Sequence, residues 1–367
     1  MDKKEKHIEQ LLSKEIDPVY KELAAKIGEG NSRFMPHVFE TLANLEQAKI
    51  TNELPRPVEE IAEKLGMSKE TVEKHIQILF ERGLLFPGKT GWHLTRSWGA
   101  LHDSAGASHP KHDNKDFFDL AFAKSMESNQ WQIEEVKEGK KQKIREIMRV
   151  IPRWESIKDI PGVLPHEDTS AILKNAEPIA QMECACKKIY RDRDCEGEIP
   201  TNTCFTIGRP AQYNIDRGAG KTLSYGEAMA AMAAFDKYPL VHLTGNTNQM
   251  PHLLCNCHNC CCGVFIRTVD TKKLFNQLSL AKSRFIAVVD AEKCKGCGLC
   301  LNERCPVGAI EMKFYPEYNE ERSTINAEEC IGCGLCVVSC PSGARTMKLI
   351  RPPDHIPAPG SEPYATA

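Results

Sequence analysis

Apolar residues recur three or four positions apart in three consecutive stretches between residues 38 and 100. This spacing predicts three amphipathic helices, because residues so spaced share one helix face. Ser68 stands at the N-cap position of the third helix, and Gly66 and Gly83 stand just beyond the second and the third. The sequence LLFPGKTGWHL then predicts two short strands around a glycine-containing turn. The predicted apolar faces consist of Val38, Leu42 and Leu45, then Val58, Ile61 and Leu65, then Val72, Ile76 and Leu79.

This succession of three helices and a hairpin resembles the winged helix-turn-helix domains of bacterial regulators. The outward positions of the third predicted helix include Glu70, Glu73 and Glu81, and residues 38–100 hold eight Lys plus Arg against nine Asp plus Glu. Phosphates lining a DNA groove repel such carboxylates, and little counterion release is gained. We therefore expect this domain to dock a protein or to be structural, and we do not expect it to bind DNA.

Residues 101–117 are mostly small and polar, and they are predicted to form a linker without a helix or strand. Three histidines lie there, at His102, His109 and His112. No cysteine is near them and no regular element orients them, so a solvated tract is favoured over a metal site. Helical segments are expected from the linker to about residue 150, and a helix followed by a strand ending near His242 is expected later in the chain.

Composition indicates a folded chain of two or three domains. It has 367 residues, 41% hydrophobic and 27% charged. The 48 Lys plus Arg and 50 Asp plus Glu give a net charge of −2. This balance excludes a polycationic protein that binds nucleic acid or an anionic membrane through its overall charge. No apolar run approaches the roughly 18 residues of a membrane span, and the charged start MDKKEKHIEQ is unlike a secretory signal. A cytoplasmic location is expected.

Cysteine is confined to the second half of the chain. All 17 cysteines lie at or after residue 184. A reducing cytosol disfavours a disulfide framework, and the number of cysteines is odd. The distribution therefore predicts metal chemistry in the C-terminal half and a cysteine-free module before it.

The last third of the chain contains an internal repeat. The segments VVDAEKCKGCGLCLNERCPVGAIEM and STINAEECIGCGLCVVSCPSGARTM align with an offset of 36 residues. Each has three cysteines separated by two residues and a fourth cysteine followed by proline. This pattern resembles the dicluster bacterial ferredoxins, whose thiolates bind two [4Fe–4S] clusters. A zinc ribbon is the alternative for paired cysteines, and the repeat with its cysteine–proline steps disfavours it.

The resemblance implies two ligand sets that cross between the repeats. Three cysteines of one repeat and the proline-preceding cysteine of the other would hold each cluster. Cluster one would use Cys294, Cys297, Cys300 and Cys340, and cluster two would use Cys330, Cys333, Cys336 and Cys305. The first repeat has four residues before its last cysteine and the second has three, a small loop insertion that keeps all eight ligands.

Nine further cysteines lie in two groups upstream of the repeat. The first group is Cys184, Cys186, Cys195 and Cys204, and the second is Cys255, Cys257, Cys260, Cys261 and Cys262. So many unligated thiols would be an oxidation liability, so at least one further metal centre is expected. A third [4Fe–4S] cluster is the first choice, structural zinc the second, and a reactive cluster or thiol chemistry the third.

Consecutive cysteines strain a single metal site, so the triplet at residues 260–262 is expected to be divided between sites or partly spare. Three histidines near these cysteines are candidate ligands or proton donors, although an ordinary structural role is favoured for each. They are His242, His252 and His258.

The whole chain is similar to iron–sulfur proteins of strict anaerobes. The predicted fold class is α+β and multidomain, with a winged helix-turn-helix, a cysteine-rich α/β middle segment and a ferredoxin-like dicluster domain. The predicted domains are 1–100 (helical lead and winged helix), 101–117 (linker), 118–283 (helical and cysteine-rich metal-binding domain), 284–350 (ferredoxin domain) and 351–367 (Pro-rich tail, an extended arm against a partner or solvent).

The predicted function is electron transfer through two [4Fe–4S] clusters and a third metal centre, to or from a partner oxidoreductase. Two alternatives stay open: a reductase whose active site is the middle metal centre, and a redox-sensing winged-helix transcription regulator. Whether the chain is itself an enzyme also stays open. A redox partner protein or oxidoreductase complex is expected, a homo-oligomer is compatible with the sequence, and DNA is not an expected partner.

Overall fold

The structure is a computed structural model that describes residues 3–141, 146–190, 199–275, 278–301 and 304–359. The chain divides into two compact units, each assembled from three segments. The first unit consists of Met1–Gln142, Met182–Cys195 and Tyr213–Lys221, and the second of Lys143–Gln181, Glu196–Gln212 and Thr222–Ala367. The architecture is mixed, with helices and several sheets.

The helices have the following bounds in chain order: α1 Lys3–Leu12, α2 Pro18–Lys26, α3 Met35–Leu42, α4 Leu45–Glu53, α5 Val58–Leu65, α6 Lys69–Glu81, α7 Trp98–Gly106, α8 Lys115–Lys137, α9 Trp154–Ile157, α10 Thr169–Lys174, α11 Ala185–Tyr190, α12 Arg209–Asp216, α13 Tyr225–Ala234, α14 Gly263–Phe275 and α15 Leu335–Val338. The strands are β1 Leu85–Gly88, β2 Gly91–Leu94, β3 Met148–Ile151, β4 Ile179–Met182, β5 Cys204–Ile207, β6 Gly220–Leu223, β7 Val241–Gly245, β8 Leu253–Cys257, β9 Leu280–Ala281, β10 Phe285–Val289, β11 Ile310–Tyr315, β12 Glu320–Ile325 and β13 Arg345–Leu349. Among the described residues, no helix is both long and apolar enough to cross a membrane.

Local signals set the ends of α5 and α6 in the first unit. Gly66 ends α5 in the left-handed conformation, with φ at 65°. The Ser68 hydroxyl accepts a hydrogen bond of 3.2 Å from the Thr71 N–H and caps α6. The antiparallel pair β1–β2 follows α6.

The first of the three predicted helices is two helices. Asn44 interrupts it, because its side chain accepts from the Gln47 N–H at 2.9 Å and forms a capping box that starts α4. Leu45, predicted on the apolar face, is 41% exposed at the start of α4. The prediction for Leu45 is therefore wrong.

Residues 101–117 contain regular structure, so the prediction of a stretch without helix or strand is wrong. α7 begins at the Ser97 cap, and its apolar face carries Trp98, Leu101 and Ala105, which are all buried. The spacing of these three residues is helical, and it outweighs the small and polar composition of the segment. His102 is buried beside the Trp98 ring, with centroids 5.7 Å apart, and is not solvated.

The helical segments expected up to about residue 150 end earlier. α8 stops at Lys137, and β3 occupies Met148–Ile151, where Val150 and Ile151 are buried in the sheet. β-Branched side chains favour a strand at this position. The helix and strand expected near His242 are α13 and β7, and β7 continues to Gly245.

A seven-stranded sheet, most of whose residues belong to the second unit, has the strand order β6-β4-β5-β8-β7-β3-β9. β8 is antiparallel to β5 on one side and to β7 on the other. The register places Cys204 opposite Cys255, and Val241 opposite Cys257. The sheet thus brings the middle cysteines from different parts of the chain together.

Two antiparallel pairs follow the seven-stranded sheet. β10 pairs with β13, and β11 pairs with β12. The predicted Pro-rich arm folds back as far as it is described: Ile356 is 3% exposed, and the Asn248 N–H donates to the Pro357 carbonyl at 2.9 Å. The prediction of an extended arm is wrong up to residue 359, since Ile356 supplies an apolar anchor, and residues 360–367 lie outside the described residues.

Candidate metal centres

The two cysteine repeats meet in the second unit. Each loop of three cysteines follows a strand, β10 in the first repeat and β12 in the second. The antiparallel pair β10–β13 joins the start of the first repeat to the end of the second. Just beyond this pair, the Asp290 N–H donates to the Ala344 carbonyl oxygen at 2.8 Å. This pairing lets a cysteine of one repeat reach the loop of the other.

One cavity is lined by cysteines of both repeats. Three come from the first repeat and one from the second: Cys294, Cys297, Cys300 and Cys340. These are the four residues that the ferredoxin resemblance assigns to cluster one. Four thiols around one cavity are the donor set that a [4Fe–4S] cluster requires, so the residues fit that group.

Hydrogen bonds and charge favour thiolates at this cavity. Ser323 donates its N–H to Cys294 Sγ at 3.5 Å, and its hydroxyl lies 3.3 Å from the same sulfur. Burial raises the pKa of Cys294, but the bonds from Ser323 and the positive charge of Arg345 help to bring it below its ordinary value. Burial likewise raises the pKa of Cys340, and hydrogen bonds from the Ser342 hydroxyl and neighbouring backbone N–H groups outweigh it. Thiolates are the form that binds metal.

Glycines let the loops wrap closely. Gly296 has φ at 61°, and a Cβ there would collide with the Glu321 carbonyl oxygen. Gly332, at the same place in the second repeat, has φ at 73°, and a Cβ would collide with the carbonyl oxygen of Phe285. Only glycine combines this backbone conformation with this close approach.

The other four ferredoxin cysteines form a second group. Cys330 and Cys336 are each 7% exposed in one apolar core, and Cys305 packs against that core. Burial and the charges of Cys330 and Cys305 raise the pKa of Cys336 to about 12, although the positive charge of Arg345 opposes them. Burial also raises the pKa of Cys333, with contributions from the same neighbouring cysteines. Bound iron offsets such mutual repulsion, so this donor set also fits a cluster.

The two cysteine sets differ in access to solvent. Cys297 is exposed, and the neighbouring Leu299 is 58% exposed. Cys333 and Cys336, in contrast, lie among buried side chains. The first set is therefore open to solvent at Cys297, whereas its Cys294 and Cys300 are buried.

Three of the middle cysteines form a thiol cluster on β8 and the loop after it. Cys255 and Cys257 are two residues apart on one strand and so share a face of the sheet. Hydrogen bonds from Cys255 and Cys262, together with burial, raise the pKa of Cys257 well above its ordinary value. Cys204, the cross-strand neighbour of Cys255, places a fourth thiol beside the cluster. We call Cys204, Cys255, Cys257 and Cys262 the β8 thiol cluster.

The β8 thiol cluster belongs to the same apolar core as a ferredoxin cysteine. Cys257 and Cys262 lie in this core, which includes Ile331, and Cys333 packs against it. Val307 lies two residues after Cys305. It packs against this core and also against the core that contains Cys330 and Cys336. Packed side chains therefore connect the two groups of cysteines.

The cysteine triplet is divided between two groups. The sulfur of Cys262 contacts Cys257. Cys260 and Cys261 instead lie with His258, and the ligand atoms of these three residues are all within 4.8 Å of one another. Cys262 is thus separated from the other two cysteines, whereas the consecutive Cys260 and Cys261 remain within 4.8 Å of one another.

The remaining predicted site residues lie elsewhere. Cys184 is buried just before α11 in the first unit, and Cys186 is half-buried within that helix. Cys195 lies outside the described residues. His242 has a structural environment: burial and the charge of Arg153 hold its pKa well below the ordinary value, and its Nδ1 lies 2.6 Å from Asn256 Oδ1.

Sequence reasoning missed one residue of the first cavity. Arg345, on β13, lines this cavity and is 2% exposed. The sequence carried a signal for this residue. Arg345 lies five residues after Cys340, whereas the residue at the same distance after Cys305 in the first repeat is the apolar Ile310. The two repeats therefore differ in charge at equivalent positions.

The comparisons with known proteins agree with this geometry in one region. The family model described as the 4Fe-4S dicluster domain matches residues 293–344. No curated protein and no solved structure matches the chain. The C-terminal region is therefore a 4Fe-4S dicluster domain, and iron–sulfur electron transfer is the general function that it supports.

Proposed function

We propose that the protein transfers electrons between a partner oxidoreductase and a third metal centre, through two [4Fe–4S] clusters. When bound, such clusters accept and release single electrons at potentials set by charge, hydrogen bonds and exposure. The observation that carries the proposal is the shared core of Cys333 and the β8 thiol cluster. A metal centre beside a ferredoxin cysteine is placed to exchange electrons with it.

The ligand sets follow from the two groups of ferredoxin cysteines. Cys294, Cys297, Cys300 and Cys340 would hold cluster one, at the exposed end of the domain. Cys305, Cys330, Cys333 and Cys336 would hold cluster two, in the interior. The exposed Cys297 of the first set supports an encounter with the partner protein there, and the packing of Cys333 against the core of the β8 thiol cluster supports transfer within the unit.

The β8 thiol cluster would hold the third centre. Its four sulfurs match the donor number and softness that iron–sulfur clusters require. Two of its members, Cys257 and Cys262, are 5% and 3% exposed, so water is largely kept away. We retain [4Fe–4S] as the first choice here and zinc as the second.

Metal analysis of the whole protein tests this proposal. Iron and acid-labile sulfide are measured anaerobically in the natural protein and in the Cys257→Ser/Cys262→Ser double variant. Three [4Fe–4S] clusters correspond to about twelve irons, and loss of the third leaves about eight. Thr244→Ser is the control, because it is a conservative change on the neighbouring strand β7 that leaves every cysteine in place. Equal iron in the natural protein and the double variant would refute a third cluster at this place.

We also infer that α4–α6 and the β1–β2 hairpin form a winged helix that docks a protein. The outward side of α6 supports this role, because Glu70 and Glu73 are exposed there. Carboxylates also neutralise two cations at the ends of α6, because Lys69 pairs with Glu59 at 2.6 Å and Lys111 pairs with Glu81 at 2.9 Å. A gel-shift titration at increasing salt should show no binding to duplex DNA, and a salt-dependent shift would favour the regulator alternative instead.

A further inference from the structure

His258, Cys260 and Cys261 form a compact set of three metal-binding side chains beyond the three centres described above. Their ligand atoms are mutually within 4.8 Å, and His258 Nδ1 lies 2.8 Å from Cys260 Sγ. His258 and Cys261 are 8% and 1% exposed, and Cys260 is half-buried. We propose that these residues bind a single zinc ion, separate from the clusters, and that a ligand from solution takes the coordination position that the described residues do not fill.

The spacing suits one ion better than a cluster. Bonds of about 2.3 Å to sulfur and about 2.0 Å to nitrogen place the donors of a tetrahedral zinc ion about 3.5–3.8 Å apart. Entry of the ion therefore needs shifts of about 1 Å or less among the three side chains. A [4Fe–4S] cluster binds each thiolate at a different corner of the cubane, which requires donors that are farther apart.

The donor chemistry also suits zinc. Two thiolates and an imidazole form a soft to borderline set, which zinc accepts in tetrahedral geometry. The described residues bring three donors together, so the fourth position of a tetrahedral ion falls to a ligand outside this set, as in zinc sites that bind a water or a substrate. The partial exposure of Cys260 gives this position a route to solvent.

The loop that carries the site is tied to the ferredoxin domain. Asn259 donates its side-chain N–H to the carbonyl oxygen of Pro306 at 3.3 Å. Pro306 directly follows Cys305, one of the cysteines of the second ferredoxin set. The zinc site would thus be held close to Cys305, which the proposed function assigns to cluster two.

Zinc K-edge X-ray absorption of the full-length, anaerobically purified protein tests the proposal, because it is blind to iron. The expected spectrum is one zinc per chain bound by two sulfurs, one imidazole nitrogen and one further light atom. His258→Ala should release zinc to a chelator at least tenfold more readily. His252→Ala is the control, since it removes an exposed imidazole of the same region that lies outside the proposed site.

His258→Cys guards against misfolding as an explanation. It should retain zinc and change the spectrum to three sulfurs, while iron and sulfide stay at the natural level. A natural protein without zinc, zinc bound by four sulfurs, or zinc retained equally by the His258→Ala and His252→Ala variants would each overturn the proposal. Loss of zinc with full iron separates this site from the third cluster, whose failure would appear as missing iron.

Discussion

Replacement of Arg345 by glutamine should make the cluster beside it harder to reduce. Arg345 lines the cavity of Cys294 and Cys340 and is 2% exposed. Its Nη2 donates to the Thr324 carbonyl at 3.4 Å, and its Nε and Nη1 have no hydrogen-bond partner among the described residues. Buried N–H groups of this kind are satisfied when an anionic acceptor lies next to them. The guanidinium is therefore placed to stabilise the negative charge of a reduced cluster.

The size of the effect follows from the charge that is removed. The charge of Arg345 lowers the pKa of Cys294 against the opposing effect of burial, and it does the same at Cys336 in the second set. For charges about 6 Å apart at an effective dielectric constant of about 20, the interaction is about 3 kcal/mol. For a one-electron couple this corresponds to a potential lower by about 120 mV.

The assay is a redox titration of the whole protein, followed by the electron paramagnetic resonance of the reduced clusters. Arg345→Lys keeps the charge and should retain most of the potential. Lys348→Gln is the matched control, because it removes a cation from the same strand at an exposed position where water and salt screen it. A potential unchanged in Arg345→Gln with all iron retained, or an equal shift in Lys348→Gln, would refute the electrostatic reasoning.

Three further predictions concern folding. Gly332→Ala should lower the free energy of unfolding by about 2 kcal/mol or more and lower the iron content, because Gly332 has a positive φ and an added Cβ would collide with the Phe285 carbonyl oxygen. Gly343→Ala should cost only about 1 kcal/mol, because Gly343 has a positive φ but open space around an added Cβ. Leu101→Ala should cost about 2–5 kcal/mol in denaturant unfolding, because Leu101 is fully buried; a cost near zero would mean that α7 is loosely packed. Glu167→Gln should cost about 3–5 kcal/mol by leaving Arg284, 2.8 Å away and also buried, without its charge partner; an unchanged thermal midpoint would contradict this.

The sequence alone determined features that depend on neighbours along the chain. Ser68 and Gly66 bound α5 and α6 because capping and left-handed turns act over a few residues. The repeated cysteine spacing pointed to a dicluster domain, and the family match at residues 293–344 agrees with it. The prediction of a linker without regular structure at residues 101–117 was wrong, because it followed the small and polar composition of the segment. Leu101 and Ala105 are spaced as on one face of a helix, and both are buried in α7.

Only the tertiary structure decided which of the remaining chemical groups meet. The division of the triplet, with Cys262 beside Cys257 and Cys261 beside His258, depends on how the loop after β8 turns. The packing of Cys333 against the core of Cys257 joins residues far apart in the chain, so no local spacing could reveal it. Such contacts arise because burial of apolar surface selects one arrangement of whole elements, and side chains are brought together by that packing and not by their order in the sequence.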